Sequence, residues 1–167
     1  MKILLRDFVI IVCVITFANG HAQTEGKHTN KRSINKLVGT WQLIDFANTD
    51  SVGHWVYPFG RNPRGFATYT HTNIFNINMS SEIPMNISEA ASKTQTITLD
   101  DFLWKYSFGY FGKYEVDFKK SVVTHKVTGG TMPWFVGTDQ PRPFILKGDT
   151  LIIGDNKTWK RVLVKVD

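Results

Sequence analysis

The feature that most restricts the fold of this chain is a dense succession of short alternating segments with little helical pattern between them. Residues 38–46, Val-Gly-Thr-Trp-Gln-Leu-Ile-Asp-Phe, mix β-branched and aromatic side chains with partial alternation, the mark of a strand. His54–Tyr57 reads as a short strand stopped by Pro58, and Phe66–Thr70 with Asn73–Ser80 as a hairpin turning at His71-Thr72. Five more follow: Lys113–Phe118, Val122–Thr128, Gln140–Lys147, Thr150–Gly154 and Thr158–Val166. One helix is expected, over about 99–110. Thr98 stands at its N-cap, acidic residues fill its first turn, Phe102, Leu103, Tyr106 and Tyr110 lie near helical spacing, and Gly109 and Gly112 end it. A parallel sheet needs a helix between successive strands, so the pattern favours an all-β, antiparallel up-and-down barrel of about eight or nine strands. A closed barrel of about eight strands is just wide enough for one small ligand.

The N-terminus reads differently. Lys2 and Arg6 precede an apolar run from Phe8 to Phe17, and Gly20-His21-Ala22 sets small residues before a cut ahead of Gln23. That is the anatomy of a secretory signal peptide over residues 1–22, and a run of about ten apolar residues is too short to span a bilayer. Residues 23–36 are polar without periodicity and read as a flexible leader to a single domain at 37–167. The expectation is an exported, periplasmic or extracellular protein whose mature part crosses no membrane.

Cys13, the one cysteine, lies inside the signal segment. The mature chain therefore has no disulfide, thiolate metal site or cysteine nucleophile. No His-x-x-x-His, calcium-type acidic spacing, phosphate-cradling Gly-rich loop or Gly-x-Ser-x-Gly turn is present, so neither a metal nor a cofactor is expected. The net charge of +6 is dispersed outside Lys27–Lys36 and forms no basic stripe, which argues against a nucleic-acid partner. Sequons stand at Asn78, Asn86 and Asn156.

Four stretches share a pattern with known barrels. Leu37-Val-Gly-Thr-Trp-Gln-Leu43 carries a Gly-x-Trp signature in the opening strand. Tyr57-Pro-Phe-Gly-Arg-Asn-Pro-Arg-Gly-Phe-Ala-Thr-Tyr69 contains Tyr-Pro-Phe-Gly and then Arg-Gly. Tyr110-Phe-Gly-Lys-Tyr-Glu-Val-Asp117 follows the expected helix. Thr124–Phe144 holds His125, then Pro133 and Trp134, then Gly137-Thr-Asp-Gln140 and Arg142. In this order the chain resembles the lipocalin-like domain family of small bacterial and fungal β-barrel proteins, over most of Leu37–Val162. At Met132-Pro-Trp-Phe135 the family often has Phe-Pro-Asn-Trp. The resemblance implies a barrel with an internal cavity, and a fold alone implies no single activity.

The candidate site residues follow from alternation. His125 shares a face with Val123 and Val127 while Lys126 faces out, so His125 points inward. It is either a base or hydrogen-bond donor in a cavity, or a core histidine satisfied by a tyrosine or a carbonyl. Tyr69 alternates with Ala67 and Tyr114 with Val116, so both tyrosines face inward as well. Gln140 and Arg142 would fix a polar group, the guanidinium matching a carboxylate or carbonyl, or else Arg142 joins an edge salt bridge. Trp134 and Phe135 would line the mouth or plug it. The superfamily resemblance pairs Trp41 with Arg161 at the closed end, a cation–π contact of about 0.5–2 kcal/mol. Three functions fit: a barrel binding a small, largely apolar or amphipathic molecule with a polar or acidic group; an isomerase- or cyclase-type enzyme with His125 as base and Tyr114 or Arg142 at an oxyanion; or a filled structural barrel.

Overall fold

The computed structural model describes residues 35–84 and 98–167, without the side chains of residues 99–101. The signal-peptide and leader expectations up to residue 34 and the sequon at Asn86 lie outside these residues. Among the described residues nine strands form: β1 (Gly39–Thr49), β2 (Trp55–Val56), β3 (Arg64–Tyr69), β4 (Ile74–Ser80), β5 (Ser107–Asp117), β6 (Val122–Gly130), β7 (Asp139–Lys147), β8 (Thr150–Ile153) and β9 (Trp159–Lys165). A short helix, α1 (Leu99–Lys105), precedes β5, and a 3-10 turn, Pro133–Phe135, joins β6 to β7.

Each strand pairs antiparallel with its neighbour in the chain, except that β3 pairs β1 and the two-residue β2 hangs on the far end of β1. The last strand returns to the first, from Trp41 opposite Lys165 to Asn48 opposite Trp159, and closes eight strands into a barrel. Closure leaves no long unpaired edge and divides every strand into an inside and an outside face. In β4 Phe75, Ile77 and Met79 are buried while Asn76 and Asn78 face solvent, and in β6 Val123, His125 and Val127 are the buried set. The aromatic and aliphatic inner faces make one continuous core, including Trp41, Phe46, Phe59, Phe75 and Leu163.

The helix is shorter than the spacing suggests. It ends at Lys105, and Ser107–Tyr110 already belong to β5, paired with β4 from Ser80 opposite Ser107 to Ile77 opposite Tyr110. The residues Phe108-Gly-Tyr-Phe111 satisfy a two-residue period as well as a helical one, and Gly109 there costs a helix about 1 kcal/mol. Sheet pairing decides the conflict. Gly112 does not end a helix; it sits at the bulge where β5 slips against β6, with the Lys126 carbonyl oxygen where a Cβ would be. Bulges that re-aim a strand at a close backbone approach favour glycine for this reason.

Two prolines interrupt β7. Phe144 N–H donates to Ser121 on the β6 side at 2.8 Å, and the Pro143 carbonyl accepts from Gly154 on the β8 side at 2.8 Å. Strand parity therefore turns the missing N–H positions of Pro141 and Pro143 toward β8, whose ladder with β7 runs only over Phe144–Lys147. The prolines cost no bond in that ladder, and pairing with β6 continues past both. Gly112→Ala would force the β5–β6 approach apart. It is expected to cost about 1–3 kcal/mol, read as a lower urea midpoint with an unchanged barrel circular-dichroism spectrum.

Candidate functional site

One end of the barrel interior is not filled. A cavity of about 210 Å³ lies between the inner faces of β3–β9, with Trp104 of α1 and Met132 and Phe135 from the β6–β7 connection contributing to its wall. Its lining is mostly apolar: Ile77, Met79, Phe108, Ile153 and Leu163 are among the residues around it. The polar groups that reach it are Tyr69, Tyr110, His125, Arg142 and Arg161. Among the described residues no three His, Cys, Asp or Glu side chains are grouped to hold a metal ion.

His125 is completely buried and stacked on Phe75, with ring centroids 4.3 Å apart. Its two nitrogens meet two hydroxyls: Nε2 lies 2.9 Å from Tyr69 Oη and Nδ1 lies 3.3 Å from Tyr110 Oη. Burial first, and the Arg142 charge second, lower its pKa to about 3. The ring is therefore neutral near pH 7, with both nitrogens engaged. Burial likewise raises the pKa of Tyr69 well above its usual value and raises that of Tyr110, where Arg142 opposes the effect. Both phenols remain protonated hydrogen-bonding groups.

Arg142 reaches the cavity from β7. Its Nη2 donates to Gln140 Oε1 at 3.1 Å, and Gln140 Nε2 donates to Thr138 Oγ1 at 2.7 Å. Thr138 in turn donates to the Phe135 carbonyl at 2.7 Å. Thr138, Gln140 and Arg142 alternate along one face of the chain, so a ladder of side chains runs from the mouth turn to the guanidinium. The Arg142 guanidinium carbon also lies 5.3 Å from the Phe135 ring centre and 5.7 Å from that of Trp159.

Arg161 is the second cation of the cavity, and here the expected pairing with Trp41 is overturned. The register sets Arg161 opposite Phe46, whereas Trp41 faces Lys165. Five residues of strand separate Trp41 from Phe46, about 16 Å at strand rise, too far for the indole and guanidinium to meet. Instead Arg161 lies 3.3 Å over the Phe46 ring centre and 5.4 Å from that of Trp159. Its Nη1 donates to the Ala47 carbonyl at 2.9 Å, Asn48 Oδ1 at 3.0 Å and the Lys160 carbonyl at 2.8 Å. Burial is the main cause that lowers its pKa, to about 9, so it stays cationic at neutral pH. Among the described residues neither Arg142 nor Arg161 is in an ion pair; Asp45, whose charge acts on Arg161, is bonded to Lys160 at 2.6 Å.

The other expected residues take different places. Tyr114 does not line the cavity: its hydroxyl donates to the Thr70 carbonyl at 2.7 Å and accepts from Asn35 Nδ2 at 3.0 Å, away from the arginines. Gln140 acts through Arg142 and does not itself line the cavity. Trp134 is 42% exposed and Phe135 alone of that pair reaches the cavity wall. Trp41 donates its indole N–H to the Leu37 carbonyl at 2.8 Å and is structural. Tyr110, Trp104 and Trp159 were not among the expected site residues. Only the alternation of Phe108 and Tyr110 along β5 signals one of them in the sequence.

The depressed pKa of His125 sets a pH dependence. An unfolded histidine binds a proton near pH 6.5, while the folded one binds it only near pH 3. Between those values the unfolded state holds one more proton, so stability is full above pH 6.5 and falls as pH falls through the window. The expected slope is about 1.4 kcal/mol per pH unit between pH 6 and 5, above the range where carboxylates titrate. Urea unfolding across that range measures it, and a flat profile would contradict the buried neutral ring.

No helix among the described residues is long and apolar enough to cross a membrane, which says nothing of crossing by strands. No curated protein matches the chain. A family model for the lipocalin-like domain matches residues 38–164, from the start of β1 to all but the last residue of β9. The closed antiparallel strands, the internal cavity and this match agree: the chain belongs to the lipocalin-like domain family.

Proposed function

We propose that this is an exported barrel that binds a small, largely apolar molecule carrying an acidic group, with the acid held inside by Arg142 and Arg161. The family supports small-molecule binding in the barrel. The single observation that carries the finer reading is the pair of guanidiniums at an aromatic-walled cavity, with no ion-pair partner for either among the described residues. Both guanidiniums are partly buried, where a cation without a counter-charge is disfavoured, and an incoming carboxylate relieves that through short charge-assisted bonds. Arg161 is fixed by three acceptors and Arg142 by one, so the pair combines a rigid anchor with a more adjustable arm. The apolar wall would take the ligand body. A volume of about 210 Å³ lies below the range of about 300–1,000 Å³ for drug-sized ligands, which favours a compact molecule. Export is proposed from the N-terminal segment alone, whose basic start, apolar run and small residues before Gln23 fit a signal peptide.

A fluorescence titration with 2-naphthoate and its neutral isostere 2-naphthamide tests the charge requirement. The acid is expected to bind at least about tenfold tighter, the scale of one hydrogen bond to a charged group. Arg142→Met, which keeps the side-chain length, is expected to remove most of that preference. Equal binding of acid and amide by the native protein would overturn the acidic-ligand reading.

A further inference from the structure

Tyr69, His125 and Tyr110 share a small set of protons, and counting them fixes a direction. The Tyr69 hydroxyl is buried, and its one hydrogen-bond partner among the described residues is His125 Nε2 at 2.9 Å. At 2.9 Å against 3.3 Å this is the shorter of the two contacts to the ring, the one suited to an O–H donor, so Tyr69 donates to Nε2. Nε2 is then an acceptor. A neutral imidazole carries one N–H, so the proton sits on Nδ1 and points at Tyr110 Oη, 3.3 Å away. The other polar groups acting on that hydroxyl are the guanidiniums of Arg142 and, after it, Arg161, which can only donate. Tyr110 therefore faces donors, and its own proton has no acceptor among the described residues. The cavity that Tyr110 lines is the remaining direction.

We infer that Tyr110 is the neutral hydrogen-bond donor of this cavity, its proton turned toward the ligand because Tyr69 fixes the tautomer of His125. The inference rests on the proposed binding of an acid in naming its target: Tyr110 and Arg142 present adjacent donors to a carboxylate, or to a carbonyl oxygen in the same place. His125 and Tyr69 are positioning residues that act through Tyr110. A ligand whose polar group only donates, such as an ammonium, meets no acceptor here and is disfavoured by both guanidiniums. The opposite tautomer would have Tyr110 donate to Nδ1 across 3.3 Å and Nε2 donate to Tyr69 across 2.9 Å, setting the hydroxyl donor on the longer contact and the ring N–H on the shorter one. That difference selects one arrangement of the two.

The ligand-free protein, labelled with nitrogen-15 at histidine, gives the direct test. Long-range nitrogen–proton spectra are expected to show His125 protonated at Nδ1 and bare at Nε2, and unchanged from pH 8 to pH 5 because the ring stays neutral. Protonation at Nε2 would overturn the inference. In Tyr69→Phe the donor to Nε2 is gone, and part of the population is expected to move its proton to Nε2; a spectrum that stays wholly Nδ1–H would remove Tyr69 from the chain of control. Tyr110→Phe keeps the ring and is expected to weaken 2-naphthoate roughly tenfold and the neutral ketone 2-acetonaphthone by roughly threefold. Unchanged affinity for both probes would overturn the role of Tyr110. The ketone and the ligand-free spectrum do not depend on a charged ligand. Failure of the acid-over-amide preference would therefore strike the proposed function, and failure of these two would strike this inference.

Discussion

The pairing of β1 with β9 is the constraint on which everything else depends. Without it the chain is a twisted meander with two exposed edges and no interior; with it, every inward side chain is committed to one enclosed space. The same pairing places Arg161 beside Phe46, turning a residue of the last strand into a wall of the cavity. The bulge between Leu43 and Asp45 shifts this register. A sequence argument that pairs Trp41 with Arg161 fails on depth and not on the bulge: the ladder sets Arg161 opposite Phe46, five residues along β1 from Trp41.

The two ends of the barrel do different work. At one end Trp41, Leu37 and Tyr114 are packed and fully hydrogen-bonded, with the Tyr114 hydroxyl tying Asn35 to the β3–β4 turn. At the other end the side chains stop short of filling the space, and the polar groups that border it are cations and donors. Each buried side-chain nitrogen and oxygen among the described residues has a hydrogen-bond partner. What the cavity leaves open is the Tyr110 proton and the charge of the two guanidiniums. A site of this kind is preorganised: Phe46, Trp159 and the backbone carbonyls hold the guanidiniums before a ligand arrives, so little ordering remains to be done on binding.

Much of the fold was legible because the barrel needs only a two-residue period and turns in the right places. β4 and β6 show it plainly, and the inward direction of His125 follows from Lys126 alone. The start of β5 was not legible, because Phe102 to Tyr110 satisfies both periods and only pairing with β4 decides between them. The site was legible in part. His125, Arg142 and Phe135 lie on the cavity as alternation and the loop suggest, while Gln140 supports Arg142 from behind. Tyr114 belongs to the other end because Tyr110 and Tyr114, four residues apart on one face, stand about 13 Å apart along the strand. Their shared direction is readable from the sequence, but their depth in the barrel is not.

The central claim is that an acid enters this barrel and meets the arginines inside it. A crystal structure of the protein with 2-naphthoate tests it most directly. The rings are expected among Phe108, Phe135 and Trp159, with a carboxylate oxygen about 2.7–3.0 Å from the Arg142 or Arg161 guanidinium. A naphthoate bound with its carboxylate turned out to solvent, or bound only on the outer surface of the barrel, would contradict it.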